Sequence, residues 1–285
     1  MTPADVGTLA CPVCHGPLEL EAVRGAGPLR AARLQCRSCP RPWLVQDGIA
    51  RLVDETGVRR ADRLMRVLYD RLALLHDPLT RILFPLLQGT SEAEARDGYM
   101  QRLALGSLRA RDDGEPVRIL DVGIGAGAGV PLLDRDLPPD LDVEIWGLDL
   151  SDGMLAHCRR RLAAHPGRPI RLLLADAHAL PFPDGAFDRV FHVGGIGGYG
   201  DPRRALAEMA RVARPGTPIV VVDEQLDPRY RHSLLHRLMF RALTFYTTTS
   251  TSPVADLPPG VTDVVSEQVS PYYYCLTFRM APRDE

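Results

Sequence analysis

Arg118-Ile119-Leu120-Asp121-Val122-Gly123-Ile124-Gly125-Ala126-Gly127-Ala128-Gly129 reads as a buried strand that runs into a glycine-rich turn and then a helix. Val117, Ile119, Leu120 and Val122 supply the apolar run of a strand covered on both faces, as in a parallel sheet. The glycines allow a sharp turn and a close approach of backbone to ligand. The following helix aims its first N–H groups at the same space, the place where open α/β sheets bind their ligands. Gly123-x-Gly125-x-x-Ala128 also fits a dinucleotide fingerprint. Asp121 argues against that reading, because a carboxylate two residues before the first glycine repels a pyrophosphate and accepts hydrogen bonds from a cationic amino group.

Further strands flank this one. Val143 to Leu150 is a second buried strand ending at Asp149, 26 residues after Gly123 and near the interval expected for an acid that grips a ribose. Ser151-Asp152 starts a helix through Met154, Leu155 and Leu162. Ile170 to Ala175 is a third strand, followed by Asp176 and Ala177, with Asp176 placed to read an adenine amino group. Phe187 to Val193 is a fourth, ending in the glycine-rich loop Gly194-Gly195-Ile196-Gly197-Gly198-Tyr199-Gly200. Pro202 to Ala213 is a helix stopped by Pro215-Gly216, and Thr217 to Glu224 is a fifth strand. Leu234 to Leu243 is an amphipathic helix, and Val261–Val269 with Tyr272–Met280 forms a closing hairpin. Tyr272, Tyr273 and Tyr274 are candidates for the pocket wall, although strand alternation obliges at least one to pack.

Upstream of this core lie two smaller units. Cys11-Pro12-Val13-Cys14 and Cys36-Arg37-Ser38-Cys39 are two CxxC pairs 21 residues apart. Their four thiolates suit a tetrahedral structural Zn²⁺ with no open position for catalysis. Hairpin strands are expected around Leu18–Val23 and on either side of Asp47-Gly48, in a unit too small to fold without its metal. Residues 58–111 read as helical throughout, with Leu64, Met65, Leu68, Leu72 and Leu75 on one face, a break at Asp77-Pro78 and a new start at Gly89-Thr90-Ser91. They cover the sheet or close over the site as a lid, with Tyr69 and Tyr99 facing substrate or packing. The expected division is a zinc ribbon over 1–57, a helical lid over 58–116 and an α/β domain over 117–285.

Composition removes several alternatives. All 34 basic residues of the 285 are Arg, so lysine Schiff bases, P-loop lysines and Tyr–Lys dehydrogenase pairs are excluded. The net charge of −2 advertises neither nucleic acid nor membrane. There is no apolar run long enough for a transmembrane helix and no signal-peptide pattern at Met1–Asp5, which leads to an expectation of cytoplasmic location.

The runs Leu-Asp-Val-Gly-x-Gly-x-Gly from Leu120, Gly-Leu-Asp-Leu-Ser-x-x-Met-Leu from Gly147, Ala-Asp-Ala-x-x-Leu-Pro-Phe from Ala175 and Ala-Leu-x-Glu-Met-x-Arg-Val-x-Arg-Pro-Gly from Ala205 follow in register. This set resembles the class I S-adenosylmethionine (SAM)-dependent methyltransferases, nearest to the ubiquinone/menaquinone C-methyltransferase branch. The N-terminal run Cys-Pro-x-Cys-x-Gly-Pro-Leu resembles the zinc ribbon of rRNA guanine-N1 methyltransferases. The resemblance implies a Rossmann-like, mostly parallel sheet with an antiparallel last strand. It implies that Asp121, Gly123 and Gly125 hold the methionine end of SAM, that Asp149 holds the ribose, that Met154 lies beside the adenine with Asp176 and Ala177 covering its edge, and that Gly127 and Leu150 also belong to the cofactor site. Where relatives carry a His or Asn after the fourth strand, this chain has glycines, leaving His192 and Tyr199 as candidate catalytic groups.

Three functions stay open at this stage. One is methylation of a small, apolar or aromatic molecule. Another is methylation of an rRNA base, with the ribbon as RNA-binding arm through Arg24, Arg30, Arg33, Arg37 and Arg41. The third is a non-catalytic SAM-binding module.

Overall fold

In a computed structural model, which describes residues 1–21, 27–71, 97–165, 167–244, 247 and 250–282, the eleven described strands form one sheet. The strands are β1 (Leu18–Leu20), β2 (Ala31–Cys36), β3 (Pro42–Gln46), β4 (Ile49–Leu52), β5 (Val117–Val122), β6 (Val143–Asp149), β7 (Ile170–Ala175), β8 (Arg189–Val193), β9 (Ile219–Glu224), β10 (Val261–Ser270) and β11 (Tyr273–Met280). Their spatial order is β1-β2-β3-β4-β7-β6-β5-β8-β9-β11-β10. The strands from β4 through β7, β6, β5 and β8 to β9 pair in parallel. β11 lies antiparallel between β9 and β10, as the resemblance implied.

The strand sequences explain the core. Along β5, Val117 and Ile119 pack with Leu103, Leu133, Ile145 and Phe191. Leu120 and Val122 pack on the opposite face with Trp146, Leu148 and Phe182. A strand buried on both faces needs this near-continuous apolar run. Trp146 is fully buried and meets the Phe182 ring edge-on at 5.6 Å, with the Arg171 guanidinium 5.5 Å from its ring.

The N-terminal ribbon is distinct in sequence but continuous with the core in packing. β4 pairs with β7 through Ala50↔Leu173, Arg51↔Leu174 and Leu52↔Ala175. Trp43, Val45 and Leu52 share one apolar cluster with Trp146 and Phe182. The Asp47-Gly48 turn joining β3 and β4 has φ of 52° and 82°, the left-handed pair that suits a two-residue hairpin.

Four helices with both ends defined complete the picture: α1 (Val130–Asp136), α2 (Asp152–Ala164), α3 (Pro202–Val212) and α4 (Leu234–Leu243). Residues 60–71 are also helical. The helical reading of residues 58–111 does not hold at its C-terminal end. Helix at 97–100 gives way to short 3₁₀ turns at Gln101–Leu103 and Leu105–Ser107, separated by Ala104 at φ 48°. Leu103, Leu105 and Leu108 are buried from these turns, so tertiary packing overrides helical periodicity. The apolar face read through Leu64 and Met65 is also not a buried stripe, because Leu64 is exposed. Leu72, Leu75, the break at Asp77-Pro78 and the start at Gly89-Thr90-Ser91 lie outside the described residues, as does Arg24.

Candidate active site

Three carboxylates stand at the carboxyl ends of three neighbouring parallel strands. Asp121 lies in β5, Asp149 ends β6 and Asp176 follows β7. They line one cavity with Gly123, Gly125, Leu150, Met154 and Ala177. The turn between β5 and α1 closes on β6, the Gly123 and Ile124 amides donating to the Leu148 carbonyl at 2.8 and 2.9 Å. Gly123 adopts φ 73°, and a Cβ there would lie 3.2 Å from His192 Nδ1 and 3.4 Å from the Tyr199 hydroxyl. Side chains larger than hydrogen would therefore strain the backbone and crowd the cavity floor.

Asp149 accepts the Gly125 amide at 2.9 Å and the Ser151 amide at 2.8 Å. Burial pushes its pKa up to about 6, against the lowering effect of these amides and with the Asp70 charge adding to the rise. Ser151 caps α2, its hydroxyl accepting the Met154 amide. Asp176 accepts both the amide and the Nδ1 of His178, the latter at 2.6 Å. Burial works to raise its pKa, but His178 holds it below the ordinary value.

Of the two candidate catalytic groups, only Tyr199 reaches the cavity wall. His192 sits within β8, opposite Val122, with Nδ1 2.7 Å from the Val122 carbonyl. It is 1% exposed and lies beneath the glycine turn, and burial drives its pKa down. Its placement is that of a core histidine bonded to backbone. Tyr199 packs its ring 5.3 Å from that of His192 and 5.4 Å from that of His178. Burial, reinforced by the surrounding carboxylates of Asp149, Asp176, Asp223 and Asp62, drives its pKa well up, so it keeps its proton and acts as a phenol. Gly127 is also displaced from its expected role: it does not line the cavity. A Cβ there would stand 2.7 Å from the Cys158 Sγ, so its bareness lets the turn pack on α2.

Tyr69 and Tyr99, named as candidates to face substrate, both line the cavity. Other wall residues had no motif to announce them: Asp62, Met65 and Arg66 come from the helical segment 60–71, and His178 comes from the loop after Asp176. Asp62 accepts the Gly200 amide at 3.0 Å through Oδ1, while its Oδ2 and the His178 Nε2 are buried without hydrogen-bond partners. Strand alternation could have selected Tyr273. It lines the cavity with Glu224, while Tyr272 packs with Phe240 and Tyr274 lies in the main core. Asp223 holds the second glycine loop, accepting the amides of Gly195 and Gly197 at 2.7 Å each.

At the ribbon tip, one sulfur from each of Cys11, Cys14, Cys36 and Cys39 lies within 4.8 Å of the others. Gly16 makes room for the second knuckle, since a Cβ there would lie 3.2 Å from the Cys36 Sγ. The Ser38 amide points at that sulfur, 3.3 Å away. Four converging thiols on two knuckles fit Zn²⁺ chemically. On the ribbon surface, Arg33, Arg37 and Arg41 face Glu21, Glu19 and Asp54 in ion pairs. Among the described residues, no helix is long and apolar enough to cross a membrane.

Comparison with known proteins agrees with this geometry. Residues 120–221 match the methyltransferase domain family. The chain is 40% identical over 131 residues to a demethylmenaquinone methyltransferase of Thermus thermophilus, covering 46% of this chain and 58% of that protein. It is 36% identical over 152 residues to a ubiquinone/menaquinone biosynthesis C-methyltransferase of Geobacter sulfurreducens, covering 53% and 54%. The chain thus spans little more than half the length of these curated relatives. The fold is also that of a Haemonchus contortus phosphoethanolamine N-methyltransferase in complex with SAM, with a TM-score of 0.57 at 13% identity, covering 84% of this chain and 63% of that one. Glycine turn, strand order and family match converge on one stretch: residues 120–221 match a methyltransferase domain, in a fold shared with a SAM-bound methyltransferase structure.

Proposed function

We propose that this chain transfers the methyl group of SAM to a small, apolar or aromatic acceptor. The observation that carries this reading is the mixed lining of the cavity, which joins the carboxylates of Asp121, Asp149 and Asp176 to the apolar and aromatic side chains of Met65, Tyr69, Tyr99, Met100 and Tyr273. The donor groups of SAM match the acids: an amino group for Asp121, ribose hydroxyls for Asp149 and an adenine amino group for Asp176. When bound, SAM supplies a methyl on a sulfonium that is already activated toward a nucleophile.

The protein's own contribution is to bind, align and exclude water. The aromatic and thioether wall desolvates an apolar acceptor, and the relatives named for menaquinone and ubiquinone biosynthesis support a quinone-type ring. Tyr199, held as a phenol, lines the cavity with its hydroxyl 3.5 Å from the His192 Nδ1. His178 is the base candidate on the cavity wall: its Nδ1 is directed at Asp176, and its Nε2 is unpartnered but buried, so it takes a proton from the acceptor only when the wall shifts to uncover it. The four cysteines hold a structural Zn²⁺ that fastens the ribbon.

The test uses radiolabelled methyl-SAM, purified protein and cell extract separated into RNA, protein and organic-soluble fractions. Label in the organic fraction is expected. Label confined to RNA would overturn the small-molecule reading, and cofactor binding without turnover in any fraction would leave a binding module.

A further inference from the structure

Helix α4 shows an unusual outer face. Leu234, Leu235 and Leu238 are 74%, 64% and 58% exposed, and Tyr230 just before the helix is 63% exposed. The inner face is already satisfied, because Phe240 and Met239 pack with Tyr272. Arg237 and Arg241 are exposed one helical turn apart, beside the leucines. Between Asp227 and Asp256 the chain contains four Arg and no Asp or Glu; Arg229 is paired with Asp227, which leaves Arg231, Arg237 and Arg241. A second exposed apolar pair, Leu64 and Val67, lies on the helical segment that supplies cavity residues.

We propose that the outer face of α4 is a docking face for an anionic lipid surface. Leucines on one stripe and arginines beside them are the pattern of a helix lying in a bilayer interface, the apolar side chains immersed and the guanidinium groups reaching up to headgroup phosphates. The acid-free run fixes the sign of the surface as negative. α4 rests on Tyr272, next to the cavity residue Tyr273, so docking brings the cavity wall to the membrane. This inference goes beyond the proposed reaction and does not need it, because binding to lipid is measured without turnover.

The experiment is flotation of the full zinc-loaded chain with phosphatidylcholine vesicles, with and without about one-third phosphatidylglycerol. The expected result is recovery with the anionic vesicles, diminishing as salt is raised, and little recovery with phosphatidylcholine alone. The paired substitution Leu235→Glu and Leu238→Glu is expected to cut recovery at least ten-fold, with thermal stability and SAM affinity unchanged. Arg237→Glu with Arg241→Glu provides a second variant and is expected to remove the preference for anionic vesicles. Absence of vesicle binding, or undiminished binding by both variants, overturns the proposal. A solution dimer that the leucine variant dissociates, with no vesicle binding, also overturns it and assigns the face to a second copy of the chain.

Discussion

Asp70 Oδ1 accepts the Ser151 hydroxyl at 2.6 Å and the Gly153 amide at 2.9 Å. One carboxylate thus ties the helical segment 60–71 to the start of α2, immediately after Asp149. Gly153 is where the two backbones meet, since a Cβ there would lie 2.9 Å from the Asp70 Cα. At its other end the segment is held by Asp62 on the Gly200 amide and by Arg59 on the Gly200 carbonyl.

Asp70→Ala releases one of these anchors without touching the cavity floor. Loss of hydrogen bonds to a charged acceptor at a partly exposed site should weaken SAM binding by about five-fold, mainly through faster dissociation. Calorimetry and stopped-flow release measure both. An unchanged dissociation rate would show that segment 60–71 does not retain the cofactor.

Asp149 gives the cofactor affinity a pH dependence of known sign. Ribose hydroxyls donate to the ionised carboxylate, so affinity should fall as pH drops through about 6. The ligand-free fold responds oppositely. Its Asp149 binds a proton before the unfolded chain does, so between about 6 and 3.8 this group makes the fold more stable as pH falls. Thermal shift with and without SAM from pH 7.5 to 5 should show the ligand increment shrinking, and Asp149→Asn should flatten that trend. The same substitution should weaken binding by roughly 10- to 100-fold, the range for a charge-assisted pair.

Catalysis should separate His178 from His192. His178→Asn is expected to lower kcat by about 100-fold with little change in SAM affinity, the scale of a lost general base. His192→Asn should lower the melting temperature and leave kcat of the folded fraction near wild type. Tyr199→Phe should lower kcat less than His178→Asn. The reverse ranking of the histidines would return the base role to β8.

Metal content should be one Zn²⁺ per chain. Cys36→Ser or chelation should lower the melting temperature and expose the ribbon to proteolysis first. Unchanged stability in the chelated protein would show that the four thiols hold the ribbon without an ion.

Much of the fold was legible because its signals are local. The apolar run from Val117, the glycines after Asp121 and the paired CxxC motifs act within a few residues of themselves. The long-range relations were hidden. Nothing between Ile49 and Leu52 announces a parallel partner at Leu173 and Leu174, because strand pairing is decided by what packs above and below. The site divided in the same way. Asp121, Asp149 and Asp176 follow from strand ends, whereas Asp62, Arg66 and His178 depend on how one segment crosses another. His192 was misleading because it lies one residue from the end of a strand beside the crevice, yet its side chain turns beneath the glycine turn rather than into the cavity.

The pairing of β4 with β7 bears on how the molecule avoids its own kind. A parallel sheet ending at β7 would offer a bare row of amides and carbonyls to any passing strand. The ribbon moves that boundary outward to β1, a strand of three residues. The opposite boundary, β10, is longer, but its register breaks twice and it carries exposed Asp263 and Glu267. If the four thiols hold Zn²⁺ as proposed, losing the ion would uncover a sticky rim on the sheet and make metal supply a determinant of solubility.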